Sequence, residues 1–275
     1  MCVEKESNNK TNNEEKPIVL DISEIVDEGE NLKTFFFDYE LNATPGQFIM
    51  LWLPGVDLKP FSISYQTKEK FGVTVYAIGD FTKKLMDLKV GDKLGIQGPY
   101  GKGYTFDAEN SALVGGGSGT ASVMLLADKL SSNGKKVNLI VGARTKNLLL
   151  HPQGELKNRI NTLFCTDDGS YGFKGFTTQA LRELLQKEKI DMIYTCGPEI
   201  MMKKVMEISD EFNIPCEVSM ERYMKCGFGV CGQCVVDNLG IRTCKDGPVI
   251  TKEIIKQIPD FGKYKRASSG KKIFY

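Results

Sequence analysis

The sequence predicts a mixed α+β, multidomain chain: an antiparallel β-barrel, then a doubly wound α/β domain, then a small cysteine-rich module. Three observations carry that prediction. Short β-rich runs broken by turn residues fill the stretch from Pro17 to Phe106, as in a small barrel. From Ser111 strand and helix patterns alternate, which is the signature of a parallel sheet with crossover helices. Past Pro215 the chain becomes dense in Cys, Gly and charge. The expected divisions are a tail over 1–16, the barrel over 17–106, the α/β domain over 107–214 and the module over 215–275.

The tail, rich in Asn, Glu and Lys, cannot bury enough apolar surface to offset the entropy of ordering, so it is expected to be disordered. In the barrel the expected strands are IVLDISEIV, NLKTFFFDYEL, QFIMLWLP, FSISYQ, FGVTVYAI and KLGIQGPYG, with a short helix TKKLMDL before the turn at Val90-Gly91-Asp92. In the α/β domain SALV, VNLIVGA, TLFCTDD and DMIYTCG read as buried strands. ASVMLLADKL, TQALRELLQKE and EIMMKKVMEISDEF repeat apolar residues at helical spacing.

Composition narrows the function. Lys+Arg 36 against Asp+Glu 35 leaves a formal charge of +1, so no basic field exists to neutralise phosphates, and nucleic acid is not an expected partner. The first residues lack a secretory pattern and no apolar run reaches membrane-spanning length, so a cytoplasmic protein without membrane contact is expected. The chain has eight cysteines; without an export signal they argue for reduced, metal-binding thiols over disulfides. A single histidine, His151, leaves no room for His-based triads or His-rich metal sites. The chemistry should therefore be carried by a cofactor.

The spacing Cys226-x4-Cys231-x2-Cys234-x9-Cys244 places three thiolates on one loop and returns a fourth. It is the C-x4-C-x2-C pattern with a later Cys that supplies two thiolates to each iron of a plant-type [2Fe-2S] cluster. Gly227, Gly229 and Gly232 between the ligands suit a loop whose backbone amides face sulfur. Four thiols can also hold zinc, but zinc sites more often pair two C-x2-C knuckles and only one occurs here. For Cys2, Cys165, Cys196 and Cys216 a buried or unremarkable thiol is the expectation.

Gly115-Gly116-Gly117-Ser118-Gly119-Thr120 follows an apolar strand and opens a helix, the setting in which backbone amides and a helix N-terminus receive a pyrophosphate. Thr120 departs from the full G-x-G-x-x-G fingerprint, and the same turn can also be a ligand-free connection. Cys196-Gly197-Pro198, Thr166-Asp167-Asp168-Gly169 and Gly142-Ala143-Arg144 end strands where ligands meet open α/β sheets. Arg144 either approaches a nucleotide or is a solvated charge.

Lys59-Pro60-Phe61-Ser62-Ile63-Ser64, Gly98-Pro99-Tyr100-Gly101, GGGSGT and CGP together resemble the ferredoxin reductase superfamily, which pairs a flavin-binding barrel with a nicotinamide-nucleotide domain. Glu221-Arg222-Tyr223-Met224-Lys225-Cys226-Gly227 through Cys234, then Cys244-Lys245-Asp246-Gly247-Pro248-Val249, look specifically like the electron-transfer subunits of dihydroorotate dehydrogenase B. The compact return to Cys244 and the ending DFGKYKRASSG are similar to archaeal members, and the resemblance spans residues 17 to 275.

The resemblance implies FAD, NAD and a [2Fe-2S] cluster, and electrons passing from an FMN-containing dihydroorotate dehydrogenase catalytic subunit through the cluster and FAD to NAD+ in pyrimidine (UMP) biosynthesis, within a hetero-oligomer, a heterotetramer. Carried over by position, the flavin motif falls on Lys59, Pro60, Phe61 and Ser62, on Thr74, Val75 and Tyr76, and on Phe81-Thr82; the nucleotide residues are Gly115, Gly116, Gly117, Gly119, Thr120, Cys196, Gly197 and Pro198. Lys59 stands where Arg is usual, a point charge in place of a fork. Phe81 replaces a glycine and is expected to crowd the flavin pyrophosphate, so FMN or an altered flavin pose is a further possibility. The loop around Phe228, Val230 and Gln233 is the expected subunit interface. Electron transfer here needs no acid or base, so no catalytic residue is assigned. NAD and NADP are not separated by the sequence. The alternatives are a flavin/iron-sulfur reductase subunit working between NAD(P)H and ferredoxin or a sulfur substrate, and a non-catalytic, zinc-containing partner-binding subunit.

Overall fold

A computed structural model describes residues 16–267 and 269–275. The disordered tail expected over 1–16 falls, up to residue 15, outside them. The first domain is a curled antiparallel sheet of β1 (Ile18–Asp21), β2 (Glu24–Gly29), β3 (Leu32–Phe37), β4 (Phe48–Leu53), β5 (Asp57–Gln66), β6 (Phe71–Tyr76) and β7 (Lys93–Tyr100), in the order β1-β7-β4-β5-β6-β3-β2. Helix α1 (Asp80–Met86) lies between β6 and β7. The run IVLDISEIV divides into two strands because the chain turns at buried Ile22: its N–H reaches Asp92 O (2.9 Å), whereas Ser23 N–H reaches Phe36 O (2.9 Å). Thus β1 and β2, consecutive in the chain, become opposite edges of the sheet. Phe35, Phe37, Ile49, Ile63, Phe71 and Leu85 fill the curl.

β5 begins at Asp57, earlier than the apolar run FSISYQ suggests, and carries Lys59 and Pro60 within it. Pro60 opposes Met50 of β4, while pairing with β6 begins only at Ile63. The missing proline N–H therefore breaks no β5–β6 ladder bond.

The second sheet has the order β11-β10-β9-β8-β12-β13-β14. Its parallel strands are β8 (Asn110–Gly116), β9 (Lys136–Ala143), β10 (Asn161–Thr166), β11 (Phe173–Lys174), β12 (Met192–Cys196) and β13 (Cys216–Ser219). Helix α2 (Thr120–Ser132) packs on one face, with the short α3 (Leu156–Arg159); α4 (Thr177–Lys187) and α5 (Glu199–Glu211) pack on the other, and each face has its own apolar core. The chain order places β8 at the centre, where the winding reverses, so ligands are expected outside its carboxyl end.

The sheet continues past Pro215. β13 pairs in parallel with β12, and β14 (Val249–Thr251), from the cysteine-rich module, adds an antiparallel edge. The composition change after Pro215 therefore precedes the structural one: β13 is only four residues long and includes Cys216 and Glu217. The module also holds α6 (Thr243–Asp246), α7 (Lys252–Ile255) and a hairpin of β15 (Tyr264–Arg266) and β16 (Lys272–Phe274). Buried Lys252 fixes α7 to the end of α5, donating to Ile214 O (2.7 Å) and Ser209 Oγ (3.1 Å) and pairing with Asp210 (3.0 Å).

Candidate functional site

A cleft of about 810 Å³ opens at the carboxyl ends of the parallel strands, between the two sheets. Gly116, Gly117, Gly142, Arg144, Asp167, Gly197 and Pro198 line it from the α/β side, and Glu30, Asn31, Tyr76, Ala77 and Ile78 from the barrel side. Its size and place suit a dinucleotide. Its floor is two backbone turns in contact: a Cβ on Gly119 would lie 2.4 Å from the Cys196 carbonyl and the Gly197 nitrogen. Gly117, at φ +52, faces open space, as a residue must where a phosphate approaches backbone.

The structure brings together Tyr76, Gly116, Gly117, Gly197 and Pro198 of the expected cofactor residues. Gly119, Thr120 and Cys196 lie buried beneath them; the Thr120 hydroxyl turns down toward Gly115, and burial pushes the Cys196 thiol up to about 12. The remaining flavin residues lie along β5, β6 and α1, away from the cleft. Lys59 pairs with Asp57 (2.7 Å), and its ammonium lies 4.8 Å from the centre of the Tyr223 ring. Pro60 and Ser62 sit in the ladder opposite Met50 and Phe48. Thr74 is tied by its hydroxyl to Thr34 (2.9 Å) and Ser64 (2.8 Å), and Val75 points into the barrel core. Thr82 Oγ1 accepts from the N–H groups of Ile78 (2.9 Å) and Gly79 (3.0 Å), shaping the turn that presents exposed Ile78 to the cleft.

Phe81 does not crowd that turn. Its side chain is buried in the barrel core and stacks on Phe61, with ring centres 6.0 Å apart, because α1 lays one apolar face against the sheet. Sequence reasoning missed Glu30, Asn31, Phe176, Lys204 and Tyr275, all of which line the cleft. Asn31 leaves a trace, a turn residue at φ +57, but Tyr275 ends a hairpin with no local signal for its placement.

The thiol loop packs against the side of the barrel formed by β4 and β7. Cys234 and Cys244 are buried against Phe48, Met50, Tyr100 and Met224, Cys226 is partly exposed, and Cys231 is exposed. Cys226 Sγ accepts from the amides of Val230 (3.4 Å) and Cys231 (3.5 Å), and Cys234 Sγ from the amide of Cys244 (3.4 Å). Arg242 donates to Gly229 O (3.2 Å) and joins the two limbs of the loop. Burial opposes ionisation of Cys226, but the amides of Cys231, Val230 and Phe228 outweigh it and bring the thiol down to about 6; Cys244, buried beside Cys234, is pushed up to about 12.

The thiols do not close on one point: among the described residues no three His, Cys, Asp or Glu side chains form a group for a single ion. Amide-to-sulfur hydrogen bonds link them in two couples, Cys226 with Cys231 and Cys234 with Cys244. Two couples fit a [2Fe-2S] cluster, with two thiolates per iron, better than one tetrahedral zinc. The amide donors and the all-sulfur ligand set fit it as well. No helix among the described residues is long and apolar enough to cross a membrane.

Known families match the stretches of chain that carry both sites. The family model for the iron-sulfur cluster binding domain of dihydroorotate dehydrogenase B matches residues 221–256, and that for the oxidoreductase NAD-binding domain matches 113–207. A Methanocaldococcus jannaschii protein named as a probable dihydroorotate dehydrogenase B (NAD(+)) electron transfer subunit is 52% identical over 262 residues, covering 95% of this chain and 100% of the relative. A Methanothermobacter thermautotrophicus protein of the same name is 42% identical over 261 residues, covering 94% and 97%. Among solved structures, a chain of an NADH-dependent reduced ferredoxin-NADP oxidoreductase superposes with a TM-score of 0.76 at 29% identity, over 88% of this chain and 93% of that one. The ferredoxin reductase of carbazole 1,9a-dioxygenase, at 20% identity and a TM-score of 0.62 over 72% of this chain and 66% of that one, shares the fold.

Proposed function

The chain belongs to the family of dihydroorotate dehydrogenase B electron transfer subunits, and from that premise we propose that it carries electrons from an FMN-containing catalytic subunit to NAD+. The observation that supports this most is the seating of the two sites on one barrel. The thiol loop packs on Phe48, Met50 and Tyr100 of β4 and β7, while the nucleotide cleft takes Tyr76 and Ile78 from β6 and the turn after it. When bound, FAD exchanges electron pairs with nicotinamide and single electrons with a [2Fe-2S] cluster.

The protein's part is to bind and orient. Gly116, Gly117 and the start of α2 offer amides to a pyrophosphate, with Arg144 and Lys204 as nearby cations. By its position in the flavin motif Lys59 is the cation for the flavin phosphates. Asp57 and Tyr223 keep it charged against the effect of its partial burial. Cys226, Cys231, Cys234 and Cys244 hold the cluster, and Val230, 76% exposed beside exposed Cys231, gives the catalytic subunit an apolar contact at the thiol loop.

Anaerobic purification tests the reading. A brown-yellow protein is expected, with about two irons and two labile sulfides per chain together with FAD, whose visible spectrum NADH bleaches. A colourless chain carrying stoichiometric zinc refutes it. The dehydrogenase assignment stands if the chain co-purifies with a flavin-containing dihydroorotate dehydrogenase and dihydroorotate then reduces NAD+; it falls if that enzyme reduces its acceptor equally well without it. The likeness to the ferredoxin-NADP oxidoreductase chain supports a second reading, exchange with ferredoxin, which reduction of added ferredoxin by NADH would favour.

A further inference from the structure

Between Glu221 and Cys226 the chain touches, residue by residue, each part of the proposed relay. Glu221 lines the nucleotide cleft. The Arg222 guanidinium, its side chain 7% exposed, bridges the carboxylates of Glu199 and Asp260, each 4% exposed. The Tyr223 ring lies 4.8 Å from the ammonium of Lys59 on β5. Met224 is buried with Phe48, Met50 and Tyr100, and Cys226 is the first thiol of the cluster loop.

We propose that Arg222 is a positioning residue that couples the nucleotide cleft to the cluster loop. This rests on the reading of the chain as an electron transfer subunit. Glu199 is the first residue of α5 and directly follows Gly197-Pro198 on the cleft floor. Its second carboxylate oxygen accepts from the Gly262 amide (2.7 Å), so one guanidinium fastens the segment to the helix start and to the loop after α7 together. The planar fork holds the two carboxylates in fixed directions from separate nitrogens, which an ammonium on a flexible stem does not reproduce, and a buried charge keeps its place only while paired.

From Arg222 to Cys226 the backbone can reach at most about 14 Å when fully extended. Between the two ends Tyr223 is held at Lys59 and Met224 against Phe48, Met50 and Tyr100. A shift of Glu199 on nucleotide binding is therefore passed to the thiol loop, and the triad makes the cleft and the loop move as one piece.

Hydrogen exchange on the holoprotein, with and without NAD+, tests the coupling. In wild type NAD+ is expected to slow exchange at residues 197–201 and also at 226–234. R222K keeps the charge but not the fork, so protection at 197–201 should persist while that at 226–234 is lost. D260N removes one anchor and leaves Arg222 paired with Glu199, and should give a partial loss. Misplacement by about 1 Å costs at most on the order of a hundredfold; in R222K, where the loop keeps its packing, cluster reduction by NADH should slow by a part of that, roughly tenfold, while NADH reduction of a small flavin-directed acceptor changes less than about twofold.

The proposal is overturned if both variants keep nucleotide-induced protection of 226–234, or if the two rates fall together. Should R222K not fold, D260N decides by the same criteria. If NAD+ protects nothing in wild type, the reading of the cleft as a nucleotide site is what fails; if it protects 197–201 alone, the coupling fails.

Discussion

Replacing Gly119 by alanine tests whether the cleft floor is two backbone turns in contact. The added Cβ would sit 2.4 Å from the carbonyl carbon and oxygen of Cys196 and from the nitrogen of Gly197. Carbon contacts settle at about 3.5 Å, so the start of α2 and the turn before α5 must part by about 1 Å. None of the three atoms belongs to a side chain that could rotate away, which puts the cost near the upper end of overpacking, about 3 kcal/mol. Gly119 has helical angles, φ −64 and ψ −20. It also closes a short 3-10 turn as the N-cap of α2, where alanine gains none of the interior helix propensity, so the net loss stays at about 3 kcal/mol. At about 2–4 °C per kcal/mol the melting temperature should fall by roughly 6–12 °C.

Gly117→Ala is the control. It stands at φ +52 with nothing within 4 Å. Its stability loss should be only the left-handed strain of about 1 kcal/mol, but its methyl enters the cleft and should weaken NAD+ binding. Urea unfolding and an NAD+ titration of both variants separate the two effects. If G119A is as stable as wild type, or G117A is the less stable of the pair, the contact between the turns is not as described.

Three further outcomes are expected. Glu217 accepts from the Thr105 amide (2.9 Å), and burial holds its carboxyl above the ordinary 4.5. Folding thus favours the protonated form, a contribution complete below pH 4.5 and lost as pH rises through the folded-state value; E217Q, which keeps the acceptor, should raise the urea midpoint at pH 7.5, with the gain vanishing below pH 4.5. Phe81→Ala should cost about 3–5 kcal/mol in chemical unfolding, because the ring fills the barrel core, and it should not improve flavin retention. Residues 215–275 expressed alone should show neither a cooperative unfolding transition nor cluster absorption after iron and sulfide reconstitution; a folded brown module would refute the shared-core argument.

Local chemistry made much of the fold legible. The β-branched and aromatic runs mark the strands, and the Cys and Gly spacings mark the thiol loop and the glycine turn without reference to distant chain. What escaped depends on partners far away in sequence. Nothing in IVLDISEIV shows that Ile22 will answer to Asp92 and Ser23 to Phe36. Phe81, judged by the glycine usual at its position, looked like an obstruction, whereas one face of α1 needed an apolar residue. Glu199, Arg222 and Asp260 are separated by stretches with no common motif, so only the fold brings the triad together.

The same long-range dependence explains why the cysteine-rich module is not a unit of its own. Its apolar residues are divided between two cores built by other segments. Cys234, Cys244 and Met224 pack with Phe48, Met50 and Tyr100 of the barrel, while Val236, Ile250, Ile255 and Phe261 pack with Val205 and Met206 of the α/β domain. β13, to which β14 pairs, has its own partner in β12, and Lys252 finds its acceptors at the end of α5. A stretch this short, without its partners, would expose most of what it now buries, and cluster ligation alone would have to supply the folding energy. The interlocking has a consequence for the proposed relay: packing keeps the thiol loop against both domains, and the Arg222 triad is the link that ties it to the start of α5 at the cleft.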